Sequence, residues 1–207
     1  MTTIERALHV LIHDVRTPLG VAQGYLRLLH EGRLTSPDAT ARAITQAQQA
    51  LDRISRLCDD AARLADRLGV HSTRRVEMPC GEFVERVLHQ LTREAVIVEP
   101  VTVAGGRTLA VAADTDELVD AVARVLLAPT ATGGSRPVAI GASTAELWFT
   151  SGMDAPALSG GELDCWRGGG FALPLACQTI TGAGGRVWTA GRTGNGAGVA
   201  LPIGGVR

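Results

Sequence analysis

The chain has 207 residues, room for one medium domain or two small ones, and a hydrophobic fraction of 45% that is ample for a core. Aromatic residues make up only 3%, so that core has to be aliphatic and alanine-rich. A formal net charge of -1 excludes a global field for nucleic acid or an anionic membrane surface, and because all 20 basic residues are Arg, Lys-dependent chemistry such as a Gly-Lys-Ser/Thr phosphate loop is excluded too.

In chain order, Ile4, Leu8, Leu11, Val15, Leu19, Ala22, Leu26 and Leu29 recur at three- and four-residue spacing, which predicts one long amphipathic helix over residues 1–31. Thr2 or Thr3 is placed to cap its start. Pro18 lacks the N–H that would bond the carbonyl of Asp14 and ordinarily ends a helix. The stripe runs on through Ala22, Leu26 and Leu29, so a kinked helix is expected rather than a stop. His13 lies at the edge of the stripe beside Ile12, where an imidazole reaches water and a partner.

Gly32, Ser36 and Pro37 then punctuate the chain. Ser36 caps a second helix, and Pro37 takes its first position, where a missing N–H costs nothing. Two seven-residue series follow, Ile44, Leu51, Cys58, Ala65 and Ala47, Ile54, Ala61, Leu68, with Arg and Asp between them. That is the seam of a bundle helix, and Gly69 is its natural C-cap. Two helices on a short turn cannot bury their whole apolar face alone. Pairing two such hairpins into a four-helix bundle does so, and predicts a homodimer.

Composition shifts after Gly69, with 21 of the 25 glycines from residue 70 onward. A helical pattern lies within Val76 to Leu91, and a second helix is expected from Asp116 to Leu127. Short β-like runs span Ala95 to Val101, Thr108 to Ala112, Pro137 to Gly141 and Glu146 to Thr150. Leu173 to Thr181 reads as an apolar helix, and Arg186 to Ala190 with Gly198 to Pro202 as a closing hairpin. The fold class is therefore α+β: a helical hairpin over 1–69, then an α/β sandwich over 70–207.

The four cysteines, Cys58, Cys80, Cys165 and Cys177, form no Cys-x-x-Cys pair and read as buried thiols rather than metal ligands or disulfides. No stretch reaches the ~20 apolar residues of a membrane span. The N-terminal apolar run is broken by Arg6, His9, His13 and Asp14, so no signal peptide is read there, and the expected compartment is the cytoplasm.

The stretch Leu11-Ile12-His13-Asp14-Val15-Arg16-Thr17-Pro18-Leu19 resembles the H-box of the two-component histidine kinases, His-Asp/Glu-aliphatic-Arg-Thr/Asn-Pro-Leu, with every position filled. The resemblance implies that His13 accepts a phosphoryl group, that Asp14 orients it or takes its proton, and that Thr17 serves a water attacking a partner's phosphoryl group. Arg16, Pro18 and Leu19 are the expected partner-binding residues. Asp14 is next to His13 in sequence, and adjacent helical residues do not face each other, so that contact has to be found in the structure.

The second half resembles the family's Bergerat-type ATPase domain. Gly168-Gly169-Gly170-Phe171-Ala172-Leu173 stands where the family has Gly-Thr-Gly-Leu-Gly-Leu, Gly184-Gly185-Arg186-Val187-Trp188 where it has Gly-Gly-Arg-Ile-Trp, and Gly194-Asn195-Gly196-Ala197-Gly198 with Leu201-Pro202 matches its ending. The polar groups depart from the pattern. Aligning Asp116-Glu117-Leu118 with the start of the N-box puts Arg124 and Ala128 where the family has metal- and phosphate-binding asparagines, followed by Pro129. Mg²⁺ wants oxygen donors, which neither supplies. The adenine-binding Asp-x-Gly-x-Gly is replaced by Ser151-Gly152-Met153-Asp154-Ala155-Pro156, and Leu158 to Arg167 is short for an ATP lid.

The expectation is therefore a phosphorelay protein, a histidine phosphotransferase that moves phosphate between receiver-domain aspartates through His13 without binding ATP. Gly168 and Gly170 are remnants of a cofactor site, with no metal or cofactor of the chain's own and Mg²⁺ supplied by the receiver. The expected partners are response-regulator receivers, an upstream hybrid kinase and a second copy of the chain, with no nucleic acid and no membrane. The alternatives are an active autokinase or receiver phosphatase with a remodelled nucleotide site, and a non-catalytic dimeric scaffold.

Overall fold

The computed structural model describes residues 3–69, 76–93, 108–111, 113–128, 138–143, 145–151, 160–166, 170–190 and 196–204. The strand expected over Ala95 to Val101, Pro129, Asp154 and Gly168 lie outside them. The chain forms two compact units, one of Met1–Asp66 with Gly169–Phe171, the other of Arg67–Gly168 with Ala172–Arg207.

The first unit is the helical hairpin, α1 (Thr3–His30) and α2 (Pro37–Gly69). Helix α1 runs through Pro18 without a break. Its end is closed by bonds from the amides of Gly32 to the Leu29 carbonyl (3.2 Å) and of Arg33 to the Leu28 carbonyl (3.1 Å). Gly32 sits at φ 62°, the left-handed conformation that favours glycine at a helix end. Ser36 caps α2 as expected, its Oγ accepting from the Ala39 amide at 3.1 Å.

The apolar residues of the hairpin fall on two faces rather than one. Ala43, Ala47, Ala50 and Leu64 are buried on α2, with Ile54, Leu57 and Ala61 half-buried between them. On α1, Pro18 and Ala22 are buried and Leu11, Val15, Tyr25 and Leu29 half-buried. The rest of the expected stripes is open to water, Ile4, Leu8, Leu19 and Leu26 on α1 together with neighbouring Ile12, and Ile44 and Leu51 on α2, followed on the same face by exposed Cys58 and Ala65. The series through Ala47 is thus an inner seam, and the series through Ile44 is an outer, unpartnered one.

The second unit is a six-stranded antiparallel sheet with helices on one face. Its elements are β1 (Val76–Pro79), α3 (Cys80–Arg93), β2 (Thr108–Val111), α4 (Thr115–Leu126), β3 (Val138–Ala142), β4 (Glu146–Ser151), α5 (Ala172–Gly182), β5 (Arg186–Ala190) and β6 (Gly196–Gly204). The order is β1-β2-β6-β4-β3, with β5 also paired to β6. β4 holds one side of β6 from Ala197 to Pro202, while β5 and then β2 share the other side. Of the closing hairpin, β6 is therefore central in the sheet, while β5 forms a ladder with β6 alone. Strand β1 was not separated from α3 in the sequence, because four residues ending in Pro79 carry too little alternation to register.

Alternation decides which side is core. Leu147 and Phe149 of β4 and Val199, Leu201 and Ile203 of β6 point inward, where they join Phe83, Val87 and Leu91 of α3, Leu118, Val122 and Val125 of α4, and Cys177 and Ile180 of α5. Helix α4 is started by Asp114, whose carboxylate accepts from the amides of Asp116 (3.0 Å) and Glu117 (3.1 Å). On the opposite face, Trp148 and Trp188 lie with Ala200 over the flat surface left by Gly141 and Gly198.

The expectation of four buried thiols is corrected here. Cys165 and Cys177 form a disulfide, with Cα atoms 6.3 Å apart, that fastens the segment before α5 to α5 itself. Cys58 is exposed, and only Cys80 is a buried free thiol. A spacing of 12 residues carries no pattern, so the pairing had no signature in the sequence.

Candidate active site

The site grows from the middle of α1. His13 stands out of the helix with 78% of its side chain exposed, while the Asp14 side chain is only 19% exposed. Nδ1 of His13 lies 2.9 Å from Oδ1 of Asp14. The other carboxylate oxygen, Oδ2, accepts a 2.6 Å hydrogen bond from the amide of Gly170, 156 residues away in sequence but part of the same compact unit. Asp14 is held below the ordinary carboxylate range, first by the His13 hydrogen bond, with the Gly170 amide and the charges of His13 and Arg53 adding to it; desolvation pushes the other way.

An ionised carboxylate is acceptor-only, so the bond between the two side chains needs the imidazole proton on Nδ1. In the neutral ring that leaves Nε2 with its lone pair, on a side chain largely open to solvent. A neutral imidazole oriented by a carboxylate and open to solvent at the other nitrogen is equipped for nucleophilic attack on phosphorus. Thr17 is exposed one turn further along, on the face of His13, and Arg16 and Leu19 are exposed as well. Pro18 is buried, so of the three expected partner-binding residues only Arg16 and Leu19 present side chains to the outside.

Two contributors escaped the sequence. Gly170 was read only as a relic of a phosphate loop, and nothing in a glycine run foretells a bond to a residue 156 positions earlier. Arg53 looked like one of many solvated arginines on α2, but its charge acts on Asp14.

In the sheet domain, Arg124 and Ser151, which the sequence pattern sets at nucleotide-binding positions, have partners within the domain. Arg124 makes a 2.6 Å ion pair with Asp120. Ser151, 3% exposed, spends its hydroxyl on Ala197, donating to the carbonyl (3.4 Å) and accepting from the amide (3.2 Å). A surface groove of about 720 Å³ between α3 and α4 is lined by Glu82, Glu85, His89 and Asp120, and by Arg86 bonded to Glu82 (3.0 Å) and Asp116 (2.9 Å). Its carboxylates repel a polyphosphate, and its guanidinium is already paired.

Residues 3–67 match the His Kinase A (phospho-acceptor) domain family. Among solved structures, the histidine kinase AdeS of Acinetobacter baumannii is similar at TM-score 0.61 and 15% identity, over 92% of this chain and 96% of that one. The histidine kinase ThkA, solved in complex with the response regulator protein TrrA, is similar at TM-score 0.55 and 16% identity, over 93% of this chain and 59% of that one. At these identities the likeness is one of fold. No curated protein matches the sequence. Among the described residues no helix is long and apolar enough to cross a membrane. Residues 3–67 are thus those of a His Kinase A phospho-acceptor domain, and the chain as a whole has the fold of histidine kinases.

Proposed function

We propose that the protein is a histidine phosphotransferase that carries phosphoryl groups between receiver-domain aspartates through His13 and does not use ATP. The observation that carries this reading is the His13–Asp14 pair, with Nδ1 held at 2.9 Å and the ring 78% exposed. Nε2 attacks the phosphorus of a receiver's aspartyl phosphate. The new N–P bond forms as the P–O bond to the aspartate breaks, and the bond electrons leave with the receiver's carboxylate. The Nδ1 proton stays on the hydrogen bond to Asp14, which offsets the charge that develops on the ring. The reverse sequence delivers the group to a second receiver. Mg²⁺ for both steps is left to the receiver, whose acidic site supplies the oxygen donors this metal requires.

The ATP-independent part is supported by the occupied state of Arg124 and Ser151 in bonds within the domain. Receivers as partners, with an upstream hybrid kinase to load one of them, fit an exposed His13 flanked by exposed Arg16 and Leu19, and ThkA is described with a response regulator. A homodimer is supported by the outer seam of the hairpin, from Ile4 to Leu26 on α1 and from Ile44 on α2, which one copy leaves in water.

The test is incubation with labelled Mg-ATP, wild type beside His13→Ala, and then the same pair with a phosphorylated receiver. The expected result is no label from ATP on either chain, and label from the receiver on wild type only. Label from ATP on wild type would make the protein an autokinase. Equal transfer to His13→Ala would remove His13 from the function altogether.

A further inference from the structure

Adjacent residues of an α-helix point about 100° apart, so helix geometry alone does not bring His13 and Asp14 together. Their 2.9 Å contact requires the carboxylate to be turned back along the helix and kept there. A carboxylate tethered only to an exposed imidazole exchanges that bond for water at little cost. Here its second oxygen is tied down by the Gly170 amide, at the short 2.6 Å separation of a charge-assisted hydrogen bond.

Gly170 is suited to this for a reason visible in its backbone. Its φ is +72°, a conformation that side-chain-bearing residues avoid, and a Cβ added there would meet nothing within 4 Å. Glycine is required by the dihedral, which sets the direction of the N–H, and not by crowding. Phe171, the next residue, is 1% exposed, so the segment is anchored immediately after the amide.

We propose that Gly170 is a positioning residue of the His13 site. Its amide fixes Oδ2 of Asp14 so that Oδ1 stays on Nδ1 of His13, and Nε2 is kept as the nucleophile. The proposal rests on the reading of His13 as phosphoacceptor. It gives the remnant glycine motif a present use, since a backbone amide that offers itself to an anion has become the support of a carboxylate. In the transfer step the N–P bond forms at Nε2 and the acyl phosphate P–O bond breaks, while the Nδ1 proton remains between His13 and Asp14. The Gly170 amide takes no part in bond making; it keeps the acceptor of that proton in place.

The experiment uses the full chain with ¹⁵N-labelled histidine, at about pH 8 where an ordinary imidazole is neutral. Long-range ¹⁵N–¹H spectra report which ring nitrogen of His13 carries the proton, and transfer from a phosphorylated receiver is timed in parallel. Gly170→Pro removes the N–H, whereas Gly170→Asn keeps it on a residue that tolerates positive φ. The expected result is an Nδ1-protonated His13 in wild type and in Gly170→Asn. In Gly170→Pro the proton should shift toward Nε2, with transfer slowed about tenfold. An unchanged tautomer and rate in folded Gly170→Pro overturns the proposal, as does a wild-type His13 protonated on Nε2. A second reading covers a Pro variant that does not fold: the Gly170 amide proton should be far downfield in wild type and move upfield in Asp14→Asn, and the absence of that movement also overturns it. If wild type takes no phosphate from any receiver, the functional reading fails, while the tautomer and amide results still decide the role of Gly170.

Discussion

The outer seam of the hairpin makes the most exposed commitment. Leu51 lies at its centre on α2, 47% exposed, with Ile44 (44%) one heptad before it. Complete burial of a leucine contributes roughly 1.5–3 kcal/mol, so covering the remaining half contributes about 1 kcal/mol per copy. A symmetric interface uses the residue twice, which makes Leu51 worth about 2 kcal/mol of dimer stability, or roughly 30-fold in dissociation constant. Leu51→Asp removes that term and in addition buries an unpaired carboxylate, so 30-fold is the minimum weakening. Gln49→Asp, two residues away on the opposite side of α2, adds the same charge outside the seam and should leave association unchanged. Sedimentation velocity over a dilution series measures both. Cys58 offers an independent reading, since it lies on the seam and is the one exposed free thiol of the chain. A short bismaleimide should link two copies of wild type and fail with Leu51→Asp. A dissociation constant for Leu51→Asp within about threefold of wild type would refute the reasoning, because the apolar term alone predicts ten times that.

The disulfide closes a loop over a separation of 12 residues, so chain entropy assigns it about 3 kcal/mol, and a dithiol reductant or Cys165→Ser should lower the melting temperature of the sheet domain by comparable amounts. Gly198→Ala drives a Cβ into the indole of Trp188 on the outer face of the sheet, and chemical denaturation should show a loss of about 1–3 kcal/mol without effect on the hairpin. Asp14 has a lowered pKa in the folded chain, so in acid the unfolded state binds its proton first. The stability it confers is complete above the ordinary carboxylate range and fades as pH falls through its lowered value. Denaturation as a function of pH should show that slope in wild type and its disappearance in Asp14→Asn.

The parts of this fold that were legible in the sequence are those whose signal is local and repeated. Three- and four-residue spacing marks α1 and heptad spacing marks α2, and the Ser36–Pro37 start of α2 is readable because a cap and a proline act within one turn. What periodicity does not contain is which of two adjacent apolar faces meets which partner. Ile44 and Ala47 belong to equally regular series, yet one is 44% exposed and the other 4%. In the sheet, alternation identified β5 and β6, but the central place of β6 depends on pairings with β4 and β2 that no local rule announces. The same limit applies at the site. His13 and Asp14 were conspicuous because their motif is contiguous, while Gly170 and Arg53 reach Asp14 through space alone.

The two halves of the chain have kept different things. In the sheet domain the positions that specify a fold are intact: the buried faces of α3, α4 and α5 and the inward residues of β4 and β6 form one continuous core. Of the residues expected at nucleotide-binding positions, Arg124 forms a half-exposed ion pair with Asp120 along α4 and Ser151 bonds to the backbone of Ala197. In the hairpin the reverse holds. Its inner seam is built of small residues, Ala22, Ala43, Ala47 and Ala50, which bury little apolar area each. It nevertheless brings together His13, the Asp14 carboxylate and the Gly170 amide. A hairpin with a modest inner seam gains from every further tie on its shape. The proposed pairing of two hairpins across the outer seam and the Gly170 amide on Asp14 are two such ties, and each can be removed by a single substitution without touching His13.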